Sequence, residues 1–118
     1  MESPTFQAGW NLAESMLFDI ANRLRSARDN LLNGNLEKYF WTLETIVRML
    51  YGFLTEDEKA DILAKEIEIQ KYLPDIPQKK NLSTLNLLLK QYDGMVMTLL
   101  HNHKLLLPPK LDRTKLIA

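Results

Sequence analysis

Apolar residues recur along most of this chain at alternating steps of four and three. Phe6, Trp10, Ala13, Leu17, Ile20, Leu24, Ala27 and Leu31 make one such stripe. Leu36, Phe40, Leu43, Val47, Leu50 and Leu54 make a second, and Leu85, Leu88, Tyr92, Met95 and Leu99 a third. A parallel row, Leu85, Leu89, Tyr92, Val96 and Leu99, widens the last face. Residues three and four apart share one side of a helix, whereas a half-buried strand alternates with period two. Leucine is the commonest residue and valine stands only at 47 and 96, which also leans away from strands.

The breaks in the pattern carry the right punctuation. Asn33-Gly34-Asn35 separates the first two stripes; Gly34 can take the left-handed conformation that ends a helix, and Asn35 can cap the next one. So short a connection predicts an antiparallel helical hairpin. Thr55-Glu56-Asp57-Glu58 reads as a capping box that opens a third helix with three acids at its positive end. Pro74 and Pro77 exclude a continuous helix and predict an extended linker over residues 73–80. The fourth helix starts near Asn81 or Ser83 and contains Gly94, for which close packing or a bend is the expected reason. Pro108-Pro109 ends it for good.

These signals predict an all-α fold, a four-helix bundle-like domain with an N-terminal antiparallel helical hairpin and an extended C-terminal tail. The helices are expected at about 6–33, 35–54, 56–72 and 82–103, within a single domain over 1–107, with the Pro-Pro-led tail at 108–118. Continuous heptads, with Ala13 and Ala27 permitting close approach, favour crossing angles near +20°. A joint core shared by two chains is the alternative arrangement.

Composition narrows the class. The chain has 118 residues, no cysteine, and 15 basic against 15 acidic residues. Disulfides, thiolate metal sites and a cysteine nucleophile are excluded, and balanced charge removes the simplest argument for a polyanionic partner. The first residues show no basic, apolar leader, and no apolar run reaches the ~18 residues that a bilayer crossing needs. The expected setting is cytoplasmic, with no membrane partner. Charge is nonetheless uneven. Residues 55–75 hold seven acids against three bases, a net of −4, while residues 104–118 hold four bases against Asp112, a net of +3.

Candidate chemistry is sparse. His101-Asn102-His103 spells the name of a nuclease family, but that site draws its residues from separate elements, so a contiguous tripeptide does not match it. Residues two apart on a helix also point ~200° apart and cannot share a metal ion. The histidines read as last-turn polar groups. No Gly-rich phosphate loop, nucleophile elbow or Glu-x-x-His pair is present. No catalytic residue, cofactor or metal site is therefore expected. Among Arg23, Arg25 and Arg28, local pairing Asp19–Arg23 and Arg25–Asp29 accounts for two and leaves Arg28 free for an acidic or phosphate partner.

Surplus apolar groups are the positive signal. Three successive aromatics, Tyr39, Phe40 and Trp41, span ~200° of a helix and cannot all face one core. Trp41 falls on the polar row Glu44, Thr45, Arg48, Gly52, so it is covered locally or offered to a partner. Tail residues Leu105, Leu106, Leu107, Leu111, Leu116 and Ile117 belong to no heptad and should pack over Trp41 or on another chain. The partner-binding set is thus Trp41, Arg28, Leu111, Leu116 and Ile117. The expected function is a non-enzymatic protein–protein interaction or assembly module, through a protein partner or self-association. The alternative is a nucleic-acid-associated accessory or regulatory protein using the arginines and the basic end. The general look, a cysteine-free helical hairpin with a Leu/Pro tail, is similar to that of many small proteins of viruses and mobile elements.

Overall fold

The computed structural model describes the backbone over residues 4–106 and the side chains from Glu14 onward. Phe6, Trp10 and Ala13 as side chains, and the tail with Leu111, Leu116 and Ile117, lie outside the described residues. Four helices follow in order: α1 (Pro4–Leu32), α2 (Leu36–Leu50), α3 (Glu56–Gln70) and α4 (Leu82–Asn102), with no strand among the described residues. α1 packs along α2 and α3 along α4, and the two hairpins meet through α2 and α4. The fold is all-α, a hairpin-based four-helix bundle.

Local chemistry explains each boundary. Gly34 takes φ 75°, and the amides of Gly34 and Asn35 return to the carbonyls of Leu31 and Asn30 at 3.1 and 2.8 Å. This double closure is the glycine-ended helix stop that the Asn-Gly-Asn signal implied. Asn35 differs from expectation: its side chain makes no cap, and only its carbonyl serves α2 by accepting from Tyr39 N–H at 2.9 Å. α2 stops at Leu50, short of the expected 54, because the chain tightens into a 3₁₀ turn over Tyr51–Phe53. Leu54 then turns extended, stays 7 % exposed, and sets Thr55 as the N-cap of α3. The capping box forms in full: Glu58 N–H donates to Thr55 Oγ1 at 3.1 Å and Thr55 N–H to Glu58 Oε1 at 2.8 Å.

The proline linker is not extended. Leu73–Asp75 forms a 3₁₀ turn with Pro74 in its first positions, where a missing N–H costs nothing. The Asp75 carbonyl then accepts from the amides of both Gln78 and Lys80 at 3.2 Å, while its carboxylate accepts from Asn81 Nδ2 at 3.0 Å. Asp75 thus folds the linker onto itself. Gly94 also departs from the expected reasons. α4 runs unbroken through it, and a Cβ placed there would meet no atom within 4 Å.

The core lies where α2 and α4 cross. Phe40, Leu43, Val47 and Leu50 of the second stripe are buried, joined by Tyr39 and Ile46, because α2 has α1 on one side and α4 on the other. α4 buries the row Leu85, Leu89, Tyr92, Val96 and Leu99, and leaves Met95 of the alternate row half-buried. The Phe40 and Tyr92 rings meet at 5.4 Å, tilted by 44°, a geometry that contributes about 1 kcal/mol beyond area burial. From α1, Ile20 and Ala27 enter the core, whereas Leu31 in the final turn is 41 % exposed.

Candidate interaction surface

Two polar triads of the same chemistry, one arginine, one carboxylate and one tyrosine, pin the helices together. In the first, Arg28 of α1 grips Asp93 of α4 with both nitrogens, Nη2 to Oδ1 at 3.1 Å and Nη1 to Oδ2, while the Tyr39 hydroxyl of α2 donates to Oδ2. Arg28 is therefore not the free cation that helix-local pairing implied; its partner lies 65 residues away. The Asp93 contact holds the Arg28 guanidinium above its ordinary range, and burial followed by the Asp93 bond does the same for the Tyr39 phenol.

In the second triad, Arg48 of α2 donates to Glu66 of α3, Nη2 to Oε1 at 2.6 Å and Nη1 to Oε2 at 3.3 Å. The Tyr92 hydroxyl of α4 donates to Oε2 at 2.6 Å. Glu66 is 1 % exposed and would be untenable as a charge without these partners. Burial, then Glu66, pushes the Tyr92 phenol well above the tyrosine range, so it stays a donor. Arg48 also lies 3.8 Å from Glu44 and stacks over the Tyr51 ring at 5.1 Å. In both triads each carboxylate oxygen accepts at least one hydrogen bond from within the chain. What the arrangement does chemically is fix which helix turns face one another.

The histidines behave differently from one another. His101 is exposed in the last turn. His103 caps α4 and sets Nε2 at 3.0 and 3.2 Å from the two Glu58 oxygens, so the end of α4 is tied to the first turn of α3. The Thr55 amide first, and the His103 ring second, hold the Glu58 carboxyl below its ordinary range. Arg23 pairs with Asp19 at 3.2 Å as the spacing implied, while Arg25 turns to Asn22 at 3.4 Å instead of Asp29. Among the described residues no cluster of three or more potential ligands could hold a metal ion, and no helix is long and apolar enough to cross a membrane.

The outer surface carries large apolar side chains. Trp41 is 51 % exposed and borders a hollow of about 280 Å³ shared with Arg23, Ser26, Asn30, Lys38, Thr42 and Thr45. Helix α3 is apolar on two sides. Ile62 and Ile69 face the core, with Glu66 between them, whereas Leu63 and Ile67 are 43 % and 50 % exposed beside exposed Ala60 and Ala64. That second α3 face was hidden in the sequence by the acids around it. No protein-family model matches the chain, and no curated protein or solved structure matches it either.

Proposed function

We propose that the protein is a non-enzymatic protein–protein interaction or assembly module, acting in the cytoplasm. The observation that carries this reading is the exposed apolar surface. Leu63 and Ile67 stand one helical turn apart on α3, each about half exposed, and Trp41 stands half exposed on α2. Adjacent exposed apolar groups, unlike single scattered ones, are characteristic of surfaces offered to a partner. The polar triads support the same reading, since they rigidify the scaffold behind those faces. The test is a photocrosslinking residue placed at 41 or 67, with exposed positions Glu14 and Gln78 as controls, in the cells that make the protein. Defined adducts from 41 or 67 and none from the controls are expected. Adducts no more abundant than at the controls would remove the reading.

One observation favours a nucleic-acid partner as the second reading. The Trp41 ring lies in a hollow with Arg23 and Lys38, an aromatic beside two cations, as in base-stacking platforms. Against it, Arg28 is engaged by Asp93. Binding to single-stranded oligonucleotide should then be strongest at ~50 mM salt and fall as salt rises. An absence of retardation at the low-salt end disposes of this alternative.

A further inference from the structure

We propose that the outer face of α3 pairs antiparallel with the same face of a second copy of this chain, a proposal that rests on the assembly reading above. The face consists of Ala60, Leu63, Ala64 and Ile67, all exposed, so a ridge of two large residues runs beside a ridge of two small ones. A two-fold axis makes an interface self-complementary, each residue meeting its counterpart in reverse order. With the axis midway between Leu63 and Ala64, Leu63 comes level with Ala64 of the second copy and Ala60 with Ile67. Large then sits at the height of small throughout. The same register brings Glu56, exposed at the N-terminal end of the helix, level with Lys71 just beyond its C-terminal end. Opposite charges meet at both ends, and the antiparallel helix dipoles favour the same orientation. A parallel pairing would instead bring the acids Glu56, Asp57 and Glu58 against themselves.

The face is short, so the interface falls at the small end of specific contacts and the dimer is weak, with a dissociation constant in roughly the 10 μM to 1 mM range. The charge register gives the proposal its specificity. Glu56→Lys and Lys71→Glu should each raise the dissociation constant about two- to fivefold, and the double swap should return it to within about twofold of the parent. Leu63→Asp should raise it at least about tenfold while leaving the helical circular dichroism unchanged and lowering the melting temperature by only about 2–5 °C, because Leu63 is 43 % exposed and lies outside the core. The chain has no cysteine, so Ala64→Cys gives a clean readout. Under mild oxidation it should form a disulfide dimer at protein concentrations where Gln78→Cys stays monomeric.

Sedimentation velocity on the full chain and these variants decides the matter. A dimer lost in Leu63→Asp and recovered by the double charge swap supports the pairing. A single species at all concentrations overturns it, including the case in which residues 107–118 of the same chain occupy the face. A dimer indifferent to Leu63→Asp overturns it as well, by placing the contact elsewhere. Photocrosslinked adducts at 67 of a mass other than two chains would sink the self-pairing while leaving the assembly reading standing.

Discussion

Replacing Arg48 with methionine is the sharpest perturbation of the scaffold. The substitution keeps the apolar stem and removes the guanidinium that makes two hydrogen bonds to Glu66. Glu66 remains, 1 % exposed, with only the Tyr92 hydroxyl to satisfy it. Removing one partner of a buried ion pair costs about 3–5 kcal/mol. The Arg48 side chain is itself 44 % exposed, so water already screens part of the pair and can follow the vacated space. A cost of about 2–3 kcal/mol is therefore expected. For a chain of 118 residues, an unfolding entropy near 0.25 kcal/mol/K turns this into a melting temperature lower by about 10 °C. Replacing the whole triad, Arg48→Met with Glu66→Leu and Tyr92→Phe, removes the stranded groups together and should return stability to within about 1 kcal/mol of the parent. Urea unfolding followed by far-UV circular dichroism measures all of these. A cost below about 0.5 kcal/mol for Arg48→Met, or a triple variant as unstable as the sum of its parts, would show that the triad does not act as one buried unit.

Three further outcomes are expected. Gly94→Ala should stabilise the protein by about 0.5–1 kcal/mol in a thermal melt, since α4 is regular there and a Cβ meets nothing within 4 Å; a loss of stability would show that the position is not open. Lys104 closes α4 at φ 58°, with the Leu105 amide returned to Leu100 at 2.8 Å, so Lys104→Gly should relieve left-handed strain and add about 1 kcal/mol. Glu58 is held below its ordinary range when folded, so its contribution is present at neutral pH and is lost as pH falls through the acid range below the ordinary glutamate value. Melting temperatures from pH 7 down to pH 3 should therefore drop less for Glu58→Gln than for the parent, and identical slopes would contradict the role given to Glu58.

The stripes on α2 and α4 were legible because burial on two sides demands long apolar rows, and the stops at Gly34 and Thr55 because their chemistry is local. The compact linker was not, since Asp75 closes it through carbonyl and carboxylate contacts that composition does not reveal. Arg28 misled for a related reason. Spacing along one helix reports only neighbours three and four away, and Asp93 comes from another hairpin. Glu66 did leave a trace. It stands four residues after Ile62 and three before Ile69, inside the very stripe that α3 buries. Among so many acids on that helix, nothing in the sequence distinguishes it from a solvated charge. The outer face of Leu63 and Ile67 was obscured in the same way.

The claim most worth testing is that the exposed apolar face of α3 pairs two copies of this chain. Sedimentation equilibrium of the unaltered chain addresses it directly. With self-pairing, the average mass climbs from the 13.7 kDa of one chain toward twice that value as concentration rises through roughly 10 μM to 1 mM. A mass fixed at 13.7 kDa across that span contradicts self-pairing through α3.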